Sequence, residues 1–225
     1  LNLSIIKVHT QAMTEILLIR HGETDWNRVR RLQGHIDVDL NDVGRSQAQA
    51  LAQALRQEKP DVIYASDLHR AFYTAQAVAN VHNMQVHKTI ALRERCYGAF
   101  EGLMYDEISQ RYPQAYKEWR SHDPHARFPE GERVGETMQE FYTRSVQAVT
   151  ALAEQHKGQK LLLLTHGGVL DCLYRYAHDI SLWSERPCEI ANAAMNRLTW
   201  NGQVMQVVQW ADKSHLHNAL DEIDR

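Results

Sequence analysis

Three short apolar runs, residues 16–19 (Ile-Leu-Leu-Ile), 62–65 (Val-Ile-Tyr-Ala) and 161–164 (four leucines), constrain the fold of this chain more than any other feature. Each is too brief for a helix and too continuous for a strand with one wet face, so each reads as a strand buried on both sides. Segments of helical period lie between them. From Asn41 to Lys59, Val43, Ala48, Leu51, Ala52 and Leu55 share one helical face, with Asn41 as N-cap and Pro60 as a stop. Behind the second run, Ser66 or Asp67 caps a helix carrying Ala71, Ala75, Val78 and Ala79, with Arg70 in its first turn. Met138, Phe141, Ser145, Val149 and Leu152 form the stripe of a long helix from near Gly135 to Lys157-Gly158. This alternation predicts a three-layer α/β/α sandwich on a mostly parallel central sheet. Candidate strands over 196–200 and 204–210 flank Asn201-Gly202 and add a late antiparallel hairpin edge.

A chain of 225 residues suits one substantial domain, here placed over 13–225, with 1–12 read as an N-terminal extension ahead of Met13. Residues 99–134 hold Pro113, Pro124, Pro129 and several aromatics, and read as an irregular, partly helical excursion forming a lid or substrate wall. A net charge of -3 gives no global positive field for nucleic acid or an anionic membrane, so any anion site has to be local. No apolar run approaches the roughly 20 residues needed to cross a bilayer. Cys96, Cys172 and Cys188 are odd in number and far apart, which argues against a disulfide framework and fits a reducing cytoplasm.

The chemistry gathers at the ends of the apolar runs, where ligands sit in folds of this class. The first run leads into Arg20-His21-Gly22-Glu23-Thr24-Asp25-Trp26-Asn27, the second into Ser66 and Arg70-Ala71, and the third into Thr165-His166-Gly167-Gly168. Leu92-Arg93-Glu94-Arg95, with Gly98 and Glu101-Gly102, falls between. These four motifs, in this order, resemble the histidine phosphatase superfamily, the phosphoglycerate-mutase-like fold, over residues 15 to about 210.

A neutral imidazole is a good nucleophile toward phosphorus near neutral pH, and His21 at a strand end, before a glycine that permits a sharp turn, suits that task. Arg20 and Arg70 carry planar guanidinium groups that bind phosphate oxygens in pairs and would neutralise the equatorial oxygens during transfer. His166 precedes two glycines at a helix N-terminus, where backbone N–H groups favour an anion, and would donate to a phosphate oxygen. An acid for the leaving alcohol and a base for water are also required, and Glu23, Glu94 and Glu101 are the candidates. The resemblance implies Glu94 for this role, leaves Glu101 to shape the pocket, and extends the phosphate site to Asn27, Gln33, Gly34 and Gly167. It implies no cofactor.

Thirteen histidines invite a metal site, but there is no H-E-x-x-H and His122-x-x-His125 spans Pro124 without a nearby cysteine, so no metal is expected. Neither a P-loop nor a G-x-G-x-x-G motif occurs. Tryptophans 119, 183, 200 and 210 read as core or lid. The expected partner is a small phosphorylated metabolite, bound in the cytoplasm, with a homodimer through the late hairpin left open.

The expected reaction is metal-independent hydrolysis of a phosphate monoester. A cofactor-dependent mutase is the alternative, although mutases of this family carry a Gly-Leu-Asn-Lys-type stretch where residues 101–107 read Glu-Gly-Leu-Met-Tyr-Asp-Glu. An inactive phosphate-dependent binding protein is a third reading. Arg111, Tyr112, Lys117, Arg120, His125, Arg127 and Arg133 are candidates to meet a second anionic group of the substrate.

Overall fold

In the computed structural model, residues 12–217 are described, so the expectation for residues 1–12 lies outside them apart from Ala12. The strands are β1 (Thr14–Arg20), β2 (Val62–Ser66), β3 (Val86–Thr89), β4 (Lys160–Thr165), β5 (Met195–Trp200) and β6 (Met205–Asp212). They form one sheet in the order β3-β2-β4-β1-β5-β6. β1 lies parallel to β4, with Arg20 opposite Thr165, while β5 and β6 run antiparallel as the expected hairpin edge.

Alternation along the strands builds the layers. Leu17, Ile19, Leu162 and Leu164 pack on one face against α2 (Asp42–Ala54) and α3 (His69–His82). Ile16, Leu18, Leu161 and Leu163 pack on the other against α6 (Met138–Gln155) and α7 (Gly167–His178). Each side chain so buried contributes about 1.5–3 kcal/mol, which makes the central pair β1 and β4 the firmest part of the molecule.

Several helix ends differ from expectation, for local reasons. The α2 helix stops at Ala54, because Leu55 leaves the helical path fully buried and Glu58 turns back to meet Lys160 and Arg197. Leu68, not Ser66 or Asp67, occupies the cap position of α3, since Asp67 is taken by a two-pronged bond from Arg93 at 2.7 and 2.6 Å. The α6 helix starts with a reciprocal cap between Thr137 and Glu140, 3.1 and 2.9 Å.

The excursion is more ordered than its prolines indicated. Following the short helix α1 (Asp25–Arg28), α4 (Tyr105–Arg111) and α5 (Pro113–Arg120) close over a separate core of Leu32, Phe100, Ile108 and Phe128. Tyr105 stacks on Trp119 at 5.5 Å, and Phe100 meets Phe128 at 5.1 Å. This packed unit is tied to the loop after β1, where Leu32 exchanges backbone bonds with Gly102 and Leu103 and the His35 N–H donates to Glu101.

Candidate active site

His21 follows the last residue of β1 and is almost fully buried. Its N–H donates to the carbonyl of Thr165 at 2.9 Å, and the Asn192 amide donates to the His21 carbonyl at 2.9 Å, so strand and loop fix the backbone from both sides. The ring Nδ1 lies 2.7 Å from the carbonyl oxygen of Gly22. A carbonyl only accepts, so Nδ1 carries the proton and Nε2 keeps its lone pair. Burial, then Arg70 and Arg20, hold the imidazole well below its ordinary pKa, and the ring stays neutral and nucleophilic into the acid range.

Gly22 serves a purpose other than a left-handed turn. A Cβ there would meet the carbonyl oxygen of Gly44 at 2.5 Å, so the glycine permits the motif to pass against the start of α2. Its N–H donates to Thr74 Oγ1 at 3.0 Å, and that hydroxyl donates in turn to the Arg70 carbonyl at 2.7 Å. The His21 loop and the Arg70 helix are thereby tied together.

Arg20 and Arg70 are both about 1% exposed. Arg20 donates to the Ile190 carbonyl at 2.7 Å, and Arg70 donates to the carbonyls of Gly34 and Ile36 at 2.8 and 2.9 Å. Each guanidinium is thus fixed by main-chain oxygens, which orient it without neutralising it.

His166 is completely buried, and its ring centroid is 5.2 Å from that of His21. Among the described residues, neither of its ring nitrogens has a hydrogen-bond partner. A buried imidazole without partners is costly unless a ligand supplies them. Burial, then Arg70, His21 and Arg20, keep it well below its ordinary pKa, and as a neutral ring it still offers one N–H.

The three candidate carboxylates separate cleanly. Glu23 accepts from Asn41 at 2.8 Å and secures the start of α2. Glu101 accepts from the N–H groups of His35 and Tyr97 at 2.8 and 3.1 Å, pinning the 34–35 turn. Only Glu94 reaches the helix that follows His166: its carboxylate accepts from the N–H of Gly168 at 3.0 Å and of Arg95 at 2.8 Å. A Cβ on Gly168 would fall 2.3 Å from Glu94 Oε1, so the second glycine exists for this approach. The N-terminus of α7 thus already holds a carboxylate beside the His166-Gly167 step.

Asn27 is less free than expected, since its Oδ1 caps Thr24 through the backbone N–H at 3.0 Å and the hydroxyl at 3.1 Å, leaving the amide NH2 as the group a ligand would meet. Gln33 keeps a buried Oε1 without a partner among the described residues. Gly34 has φ +51° and passes so near Glu101 that a Cβ would stand 2.1 Å from its Oε1. Arg20, His21, Arg70 and His166 therefore lie together, Glu94 meets the helix that follows His166, Gly34 accepts from Arg70 and Asn192 links Asn27 to the His21 carbonyl, while Gln33 and Gly167 enter only as chain neighbours of Gly34 and His166.

The sequence reading missed Thr74, Asn192, His35 and Arg144. Thr74 was legible in principle, one helical turn beyond Arg70 on the same face. Asn192 carries no local signal, because only tertiary folding brings it to His21. His35 Nε2 donates to the Glu94 carbonyl at 2.8 Å. Arg144 donates to the carbonyls of Ala91, Arg93 and Glu94 at 3.1, 3.1 and 3.2 Å while paired with Glu136 at 2.7 Å, strapping the whole segment that bears the acid. Of the candidates for a second anion, Arg111 pairs with Glu107, Arg127 with Glu140 and Arg133 with Glu101.

A cavity of about 680 Å³ opens beside this cluster, between the excursion, α6, α7 and the 182–188 loop. None of Arg20, His21, Arg70 or His166 lines it; it adjoins the site through Gly168 and Arg95, on either side of the Glu94 carboxylate.

The family model described as histidine phosphatase superfamily (branch 1) matches residues 16–213. The chain is 40% identical to phosphoglycerate mutase-like protein 4 of Arabidopsis thaliana over 206 residues, 90% of this chain and 86% of that one. It is 37% identical to the metal-independent phosphoserine phosphatase of the same plant, covering 94% and 86% of the two chains. Among solved structures, the phosphoserine phosphatase of Entamoeba histolytica in complex with 3-phosphoglyceric acid superposes with a TM-score of 0.79 at 25% identity, covering 90% of this chain and 99% of that one.

Proposed function

This chain belongs to the histidine phosphatase superfamily, and from that premise we propose that it hydrolyses small phosphate monoesters without a metal, passing the phosphoryl group through Nε2 of His21. The observation that carries the reading is the 2.7 Å bond from His21 Nδ1 to the Gly22 carbonyl, which fixes the tautomer a nucleophile needs. Nε2 attacks phosphorus in line as the P–O bond to the alcohol breaks. Arg20, Arg70 and the N–H of His166 hold the three equatorial oxygens while charge spreads over them. Glu94, protonated, gives its proton to the departing alkoxide. As the carboxylate it then takes a proton from water, whose oxygen attacks the phosphohistidine and returns His21 neutral with inorganic phosphate released. The cytoplasm is the expected site of action.

Relatives bearing both mutase and phosphatase names leave one distinction for experiment. The absence of lysine from residues 101–107 supports the transfer to water, since nothing basic in that stretch would retain a bisphosphate. Release of nitrophenol and phosphate from p-nitrophenyl phosphate is expected, without interconversion of 2- and 3-phosphoglycerate. Interconversion outpacing phosphate release would make the protein a mutase, and no release from folded protein would make it a binding protein.

A further inference from the structure

The 680 Å³ cavity contains one residue whose condition calls for an explanation. Arg95 is only 7% exposed, yet among the described residues no carboxylate pairs with it. Its Nε donates to the Glu136 carbonyl at 3.0 Å, Nη1 has only the Met138 sulfur at 3.9 Å, and the guanidinium lies 4.3 Å from the centre of the Phe128 ring. The two carboxylates that act on it through space are hydrogen-bonded to other groups, Glu136 to Arg144 and the Cys96 N–H, Glu94 to the N–H groups of Arg95 and Gly168. Burial works against the charge and holds this guanidinium below its ordinary value. A buried cation kept without a counter-ion, facing a cavity, is the configuration of a site that receives its anion from a ligand.

The rest of the lining says what kind of ligand. Beside charged side chains, of which Asp171 is paired with Arg175 and Arg127 with Glu140, Tyr97, Trp119, Phe128 and Phe141 supply flat apolar faces, and the volume lies in the range that houses ring-bearing ligands, several times what a three-carbon alcohol fills. The position says which part of the ligand: Gly168 and Arg95 border the cavity, and both donate N–H groups to the Glu94 carboxylate. The cavity therefore begins where the leaving oxygen would receive its proton.

We propose that this cavity is the subsite for the alcohol half of the substrate, and that Arg95 pairs there with a carboxylate on a ring-bearing leaving group. The inference rests on the phosphatase reading above and narrows it to a substrate class larger than phosphoserine.

The test compares kcat/KM for 4-carboxyphenyl phosphate, its uncharged twin 4-carbamoylphenyl phosphate and phosphoserine. The wild type is expected to favour the carboxylate over the twin by at least about tenfold, as a charge-assisted pair implies. It is also expected to favour the carboxylated ring ester over phosphoserine. In Arg95→Gln the preference over the twin should collapse toward one, with Arg95→Lys in between. A ratio near one in the wild type, a ratio that survives in a folded Arg95→Gln, or a preference for phosphoserine overturns the proposal. Should Arg95→Gln fail to fold, the two wild-type comparisons still decide. Calorimetric titration with 4-hydroxybenzoate and 4-hydroxybenzamide separates the two readings if no ester is cleaved. Tighter binding of the acid upholds the subsite while the phosphatase reading falls, and equal or absent binding removes the subsite.

Discussion

The phosphate end of the site and the cavity beside it are built by different means. His21 and His166 stand at the ends of two neighbouring buried strands, with Arg70 in the first turn of the helix after a third, and short main-chain bonds fix them. The cavity is assembled from five separate segments, 95–97, 115–128, 138–141, 168–175 and 182–188, beside an aromatic core. The first design resists change because moving one residue would move the sheet. The second lets side chains vary while the strands stay as they are, so reaction type and substrate choice reside in different parts of the molecule.

The largest effect should come from His21→Ala, which is expected to lower kcat by roughly 10⁴-fold or more on every ester, whatever its alcohol. A loss within tenfold, measured in steady state on two esters, would break the division. Arg70→Ala should cost kcat/KM about 10²- to 10³-fold, again uniformly across leaving groups. A loss that varied strongly with the alcohol would place Arg70 on the other side of the comparison.

Arg144→Gln removes the strap behind Glu94, and should discriminate by chemistry. Esters of poor leaving alcohols, which need the acid, should lose about 10- to 100-fold in kcat, and p-nitrophenyl phosphate much less. Equal losses would mean that Arg144 only supports the fold.

Acid sensitivity bears on the polar pocket, because His21 and His166 are the histidines held well below their ordinary values. Both histidines have pKa values lowered by folding, so below about pH 6.5 the unfolded chain binds protons that the native chain refuses. Their contribution is complete above that pH and is lost as pH falls. In denaturant titrations His166→Gln should flatten this decline by up to about 1.4 kcal/mol per pH unit. An unchanged slope would contradict the account of the buried ring.

The smallest change is expected from Trp119→Leu, which opens the cavity wall. The ratio of kcat/KM between ring esters and phosphoserine should shift by a few-fold, about 1 kcal/mol for a lost aromatic contact. A constant ratio would detach Trp119 from substrate choice.

Legibility in the sequence follows the same line. The apolar runs are local signals, so strands, layers and the strand-end residues could be read without coordinates. The carboxylate assignment needed resemblance, because Glu23, Glu94 and Glu101 are indistinguishable by local pattern, and only contacts across the fold separate them. Asn192 lies 171 positions from the histidine whose carbonyl it holds. The excursion read as irregular because its prolines are local and its aromatic core is not: Leu32 packs with Phe100 and Phe128 across most of a hundred residues. Gly22 read as a turn residue and Gly168 as part of an anion-favouring helix start, whereas one admits α2 and the other admits Glu94.

The central claim is that His21 carries the phosphoryl group, and a rapid alkaline quench with ³²P-labelled substrate tests it most directly. The account predicts a label stable in alkali, lost in acid, mapping to the peptide containing residue 21, and appearing before the first turnover is complete. Turnover at the normal rate with no label, or with label on any other residue, would contradict it.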